Sequence, residues 1–155
     1  CTVEAVTRIN RGLFKDTPSH LFVTFFIGKL NNLTGEFTYI NAGHNPPVVV
    51  RQDGTFERLT QGGMVLGISS DSEFETDSVV LKPGDLLLLY TDGLTEAGLP
   101  EIEAMGEENV IELLIRFREK NTDSIVESII KEVEKSTKGI LQTDDIAMIL
   151  LKRKR

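Results

Sequence analysis

The chain has 155 residues, 40% of them apolar, enough for one ordinary globular domain with a sizeable core. Asp and Glu outnumber Lys and Arg by 24 to 17, and the resulting net charge of −7 repels polyanions and argues against nucleic acid as a general partner. A single cysteine, Cys1, excludes an internal disulfide and a cysteine metal cage, which suits a reducing, cytoplasmic setting; no apolar run approaches the ~20 residues that span a bilayer, and no charged-then-apolar leader opens the chain.

In chain order, "CTVEAVTRINRGLF" sets Val3, Val6, Ile9 and Leu13 on one stripe, which predicts a helix already under way, as in a fragment of a longer protein. Residues 20–30, rich in β-branched and aromatic side chains and bounded by Pro18 and "NNLTG", read as a strand buried on both faces. Residues 36–59 supply two or three more strands, punctuated by Gly43, by Pro46-Pro47 and by Asp53-Gly54, a dipeptide suited to a hairpin turn. "FETDSVVL", the turn "KPGD" and "LLLLY" extend this meander up to Tyr90.

Beyond a turn at Asp92-Gly93, two amphipathic helices are predicted. The first carries Val110, Leu113, Leu114 and Phe117, the second Ile125, Ile129, Ile130 and Val133, with Gly139 as its stop. "DDIAMILLKRK" then reads as a closing apolar strand, and the terminal "KRKR" as a solvated chain end in preference to a phosphate-binding tail. Strands in succession, then two helices, then a strand point to an α+β fold with helices on antiparallel sheet. The last strand must return to the sheet, bringing Asp144 and Asp145 towards the strand end that carries Asp92.

A carboxylate at the edge of an apolar core is costly unless a cation or a set of donors meets it. Oxygen-rich acidic sites suit Mg²⁺ or Mn²⁺, which need only a few protein carboxylates. The competing reading is plain: Asp92-Gly93 is a turn, and Asp144 merely precedes a strand. Spacing alone does not separate the two.

Five ordered stretches carry more information: "LFVTFFIG" from Leu21, "NAGHNPP" from Asn41, "VLGI" from Val65, "LKPGDLLLLYTDGLTEA" from Leu81 and "DDIAMILL" from Asp144. Together they resemble the metal-dependent protein phosphatases of the PPM superfamily, in particular the bacterial SpoIIE/RsbU-like branch. The resemblance implies an antiparallel β-sandwich flanked by helices in α/β/β/α layers. It also implies a serine/threonine phosphatase that hydrolyses phosphoserine or phosphothreonine by a metal-activated water, with two Mn²⁺ or Mg²⁺ ions. By the same resemblance, Asp92 and Asp144 are metal ligands and the catalytic pair. Gly93 and Asp145 fall within the metal site, Asp145 as a neighbour more than a ligand, and Glu96 matches an acid near a weaker third metal.

His44 falls where eukaryotic relatives carry an Asp of that third site. With Asn45 it is a candidate substrate-binding residue, although a structural role in capping the turn is preferred for it; His20 is read as structural. The family's first acidic motif, Gly-Asp-x-x-Gly-His-Gly, has no match here, so residues 1–155 are expected to be a single, N-terminally truncated phosphatase domain without the bridging Asp. The implied partners are a phosphorylated regulator of the anti-anti-sigma type, an upstream sensor domain and a second copy in a homodimer. A non-catalytic binding or sensing module of the same fold is the alternative. No Gly-x-Ser-x-Gly elbow, P-loop or Gly-x-Gly-x-x-Gly turn supports another enzyme class.

Overall fold

The computed structural model describes residues 2–18, 20–97, 105–137 and 145–154. In chain order the elements are α1 (Val3–Asp16), β1 (Phe25–Leu30), β2 (Glu36–Ala42), β3 (Val48–Val50), β4 (Phe56–Arg58), β5 (Gly62–Gly63), β6 (Asp77–Val80), β7 (Leu86–Tyr90), α2 (Asp92–Thr95), α3 (Gly106–Phe117), α4 (Thr122–Thr137) and β8 (Met148–Lys152). The fold is α+β. Two compact units divide the chain, one of Cys1–Pro46 with Leu59–Leu81, the other of Pro47–Arg58 with Lys82–Arg155.

In the first unit, Thr2 caps α1 by accepting from the amide of Ala5, and the helix buries Val6 and Asn10. The predicted stripe is only partly inward: Val3 and Leu13 are half-buried and Ile9 is 43% exposed. Asn10 is the unexpected member of the buried face. Its side chain accepts from the amide of Gly67 and donates to the carbonyl of Ser69, both at 2.8 Å, so a polar residue joins α1 to the "VLGI" loop without being left unsatisfied.

The sheet of this unit runs β1-β2-β5, with β6 also paired to β2. β1 and β6 are antiparallel to β2, whereas the two-residue β5 is parallel to it. Residues 43–61 separate β2 from β5, more than the dozen or so that a parallel connection needs. The expected strand over residues 20–30 is corrected on two points. It begins only at Phe25, and it is not buried on both faces: Leu21, Phe22 and Val23 are 48%, 58% and 41% exposed, and Gly28–Leu30 are exposed. β1 is an edge strand with one neighbour, and composition reports an extended apolar run, not how many neighbours it will find.

The second unit holds a four-stranded antiparallel sheet in the order β4-β3-β7-β8. The hairpin at Asp53-Gly54 forms as predicted, with the Arg51 amide donating to the Thr55 carbonyl at 2.8 Å and Gly54 at φ +90°, a backbone setting that favours glycine. Burial on both faces is found here, in Val48–Val50 and in Leu86, Leu87 and Leu88. One side of this sheet packs Val48, Val50, Leu86, Leu88 and Tyr90 against Val110, Ile111 and Leu114 of α3 and Ile125, Ile129 and Val133 of α4. Ile111 takes the inward place expected of Leu113, which is half-buried, and Ile130 is 43% exposed. A short helix, α2, replaces the simple turn predicted at Asp92. Gly139, the predicted stop of α4, lies outside the described residues. Among the described residues no helix is long and apolar enough to cross a membrane.

β8 returns across α3 and α4 to pair with β7, Leu86 opposite Lys152 and Tyr90 opposite Met148. The terminal basic run is corrected in part: Lys152 belongs to the ladder and is not solvated chain end.

Candidate functional site

β7 ends at Tyr90, and Thr91 and Asp92 lead at once into α2. Thr91 is the N-cap residue of α2, yet its hydroxyl makes no cap bond. It is engaged across the sheet instead, donating to the carbonyl of Asp145 at 3.1 Å and accepting from the amide of Ala147 at 2.9 Å. The Thr91 amide also donates to the Ala147 carbonyl at 3.0 Å. One residue therefore ties the Asp92 end of β7 to the Asp145 entrance of β8.

Asp92 is exposed, and its carboxylate accepts from the amide of Gly93 at 3.0 Å. Its carbonyl accepts from the Thr95 hydroxyl and from the Glu96 amide, which sets Glu96 one turn on, exposed as well. Gly93 and Leu94 are buried beneath the two acids. The desolvation cost anticipated for an acid at the mouth of an apolar strand is thus not incurred by Asp92, because the chain turns outward there and leaves the carboxylate hydrated. Asp145 is exposed too, while Asp144 lies outside the described residues.

Exposed carboxylates on a rigid strand end are the right donor type for Mg²⁺ or Mn²⁺, which retain several waters. They are not a complete set: among the described residues no group of three or more His, Cys, Asp or Glu side chains gathers to hold a metal ion. Asp92, Glu96 and Asp145 do not by themselves make a dinuclear centre.

Behind the strand end stands a network that the sequence did not single out. Tyr90, 4% exposed, donates its phenol to Glu107 Oε1 at 2.7 Å, and Arg58 donates from Nε to Glu107 Oε2 at 2.9 Å and from Nη2 to Glu108 at 2.8 Å. This joins β4, β7 and the first turn of α3. Burial pushes the Glu107 pKa up, but the bonds from Arg58 and Tyr90 outweigh it and hold the carboxyl below its usual range. Burial first, then the bond to Glu107 and that residue's charge, raise the Tyr90 phenol well above its ordinary value. The only signal in the sequence was a lone Tyr ending four leucines, since its partners are 17 and 32 positions away.

His44 and Asn45 belong to the first unit. Asn41, 4% exposed, clamps their turn: its amide donates to the carbonyls of His44 and Leu59, each at 3.0 Å, and its oxygen accepts from the His44 amide at 2.8 Å. Gly43 permits the turn, with φ +72° and a position where a Cβ would lie 2.3 Å from a Val65 methyl. The half-buried His44 ring lies with Nδ1 3.3 Å from the Thr24 hydroxyl, which donates or accepts according to the tautomer. Asn45 is half-buried, and His20 is exposed.

Comparison with known proteins adds to this geometry. The family model for stage II sporulation protein E (SpoIIE) matches residues 2–154. The chain is 35% identical over 133 residues to Protein IcfG of Synechocystis sp., covering 86% of this chain and 21% of that protein. It is 28% identical over 159 residues to phosphoserine phosphatase RsbU of Bacillus subtilis, covering 97% of this chain and 45% of that protein. The chain thus spans less than half the length of these curated relatives. The solved RsbU and RsbW domains of a Mycobacterium tuberculosis protein match with a TM-score of 0.81 at 29% identity, over 99% of this chain and 42% of that one. The SiaA-PP2C domain of Pseudomonas aeruginosa matches with a TM-score of 0.79 at 17% identity, over 97% of this chain and 60% of that one, a likeness of fold alone.

Proposed function

The chain belongs to the SpoIIE family of PPM-type phosphatases, and on that premise we propose that it is catalytic sequence of a protein serine/threonine phosphatase acting on phosphoserine or phosphothreonine. The observation that carries this reading is Thr91, whose two side-chain bonds join acid-bearing segments 54 positions apart in the chain.

In this reading Asp92 and Asp144 hold Mn²⁺ or Mg²⁺, Glu96 serves a weaker or outer position, and Gly93 and Asp145 shape the site. A cation held there supplies positive charge for phosphate oxygens and a nucleophile from water near neutral pH. The protein's own contribution is positional. Thr91 holds two strand ends in register, and the Tyr90–Glu107–Arg58 network braces them from behind. His44 and Asn45, on a turn of the first unit held by Asn41, stay candidate substrate-binding residues on the family resemblance alone. Residues 1–155 are read as a single phosphatase domain that lacks a Gly-Asp-x-x-Gly-His-Gly stretch.

The proposed substrate is a phosphorylated regulatory protein of the anti-anti-sigma type, with an upstream sensor and a homodimeric parent. Support for it is the likeness to RsbU, named a phosphoserine phosphatase, and to a structure that combines RsbU and RsbW domains. The alternative is a non-catalytic binding or sensing module of the same fold. Phosphate release from a phosphoserine regulator, measured over a Mn²⁺ titration on the full gene product, separates the two. Asp92→Asn is expected to lower the rate on the order of a hundredfold or more, the scale of losing a principal electrostatic stabiliser. Unchanged turnover at saturating Mn²⁺ would remove Asp92 from the site. Stable binding of the regulator without any Mn²⁺-dependent phosphate release would favour the module.

A further inference from the structure

The far end of the β7–β8 pair has the opposite charge from the Asp92 end. A cleft of about 520 Å³ opens there, inside the second unit, and its cations are Lys120, Lys152, Arg153 and Lys154, with Glu119 as the acid among its lining residues. A local excess of three positive charges (four minus one) stands out in a chain whose net charge is −7. The cleft is separated from Asp92 by the length of β7, roughly 17 Å for five residues at about 3.4 Å each.

The basic run is held in place. Lys152 Nζ donates to the carbonyls of Arg118 and Lys120 at the end of α3, and an ammonium has a third proton to offer. Arg153 is fixed through its backbone, donating to the Asp85 carbonyl at 3.0 Å and accepting from the Gly84 amide at 2.9 Å. The Lys120 ammonium sits 4.1 Å from the centre of the Phe117 ring. At the same cleft α4 begins: Asn121 turns its side chain inward to accept from the Ser124 amide, and Thr122 is the first helical residue. The leading amides of a helix have no partner within it and add partial positive charge to the charge of the lysines.

We propose that this cleft is a second binding site, for a small ligand bearing a diphosphate or comparable multiply charged phosphate group. The shape argues for a small molecule, since a concave space of this volume falls in the range of small-molecule pockets. The charge argues for more than one ionised phosphate oxygen, because cations from β8 and its C-terminal end and from the α3–α4 connection are brought together beside the start of α4. The site is independent of the catalytic reading and uses none of its residues.

The test is an amide NMR titration of the folded chain with inorganic pyrophosphate, at fixed ionic strength and with a chelator present so that no divalent cation reports from the Asp92 end. Saturable shifts centred on residues 119–123 and 152–154 are expected. The pair Lys120→Gln with Lys154→Gln, which spares the structural Lys152, should weaken binding about tenfold or more, the scale of charge-assisted bonds. The pair Lys15→Gln with Lys29→Gln removes the same charge from the first unit and should leave the affinity unchanged. Shifts that do not saturate, that lie elsewhere, or that weaken equally with the control pair would overturn the proposal, leaving only general attraction of an anion to lysines.

Discussion

In the second unit, strand β3 and all of β7 but half-buried Leu89 are buried and α3 and α4 close over one face of their sheet, while in the first unit the chain approaching edge strand β1 leaves Leu21, Phe22 and Val23 between 41% and 58% exposed. The two units also hold their candidate functional turns differently. The Asp92 turn hangs from a fully packed strand and is tied across to β8 by Thr91. The His44 turn is held by one buried amide, that of Asn41, which makes three bonds. In one unit apolar packing carries a strand end on which acids stand exposed; in the other a buried polar clamp gives the turn its shape.

The contrast breaks most readily at Leu88. Leu88→Ala, at 0% exposure between sheet and helices, is expected to cost about 2–5 kcal/mol, whereas Phe22→Ala, at 58% exposure, should stay within about 0.5 kcal/mol. Denaturant midpoints of the two variants measure the difference, and equal shifts would show that exposure in the first unit does not reflect weaker packing. Next in size is Asn41→Ala, which leaves the His44 amide and two carbonyls without their side-chain partner and should cost about 1–3 kcal/mol. If the clamp acts as described, the Thr24–His44 contact is lost with it, visible as a changed His44 ring signal; an unmoved ring would assign the shape of the turn to Gly43 and the prolines.

Tyr90→Phe removes one hydrogen bond and keeps the ring in the core, so a loss of about 0.5–1.5 kcal/mol is expected, read from thermal unfolding. The smallest effect is in the pH dependence. Glu107 has a depressed pKa in the folded state, so its contribution is fully present above the ordinary glutamate value of about 4.3 and is lost as pH falls through the lower folded value. Glu107→Gln should therefore destabilise at pH 7 and matter less at pH 3. A difference from the unsubstituted chain that is the same at both pH values would place the bracing of the strand end elsewhere.

The candidate site residues come from the sequence and the family resemblance. Asp92, Gly93, Glu96, Asp145 and His44 stand in short stretches whose order and spacing carry the family resemblance, and the family match covers residues 2–154. Thr91 was legible as part of "TDG" but not as a cross-strand tie, because the partners of its hydroxyl come from 54 and 56 positions further on. Arg58, Tyr90 and Glu107 stayed hidden for the same reason: each is an ordinary residue locally, and only contact between β4, β7 and α3 makes them a network.

By itself the sequence determined the coarse succession of a helix, a block of strands, two amphipathic helices and a last strand, though not α2 or β5, together with the inward stripe of α4 at Ile125, Ile129 and Val133 and the hairpin at Asp53-Gly54, since periodicity and turn chemistry are local properties. Only the tertiary structure decided which apolar run lies between two neighbours and which lies on an edge, that Asn10 faces inward with two backbone partners, that Asp92 is hydrated and not buried, and that Lys152 is bound to the end of α3 and not adrift in a tail. The physical reason is common to all four. Burial and hydrogen-bond satisfaction are set by partners distant in sequence, and no pattern within one element records which of its groups those partners will reach.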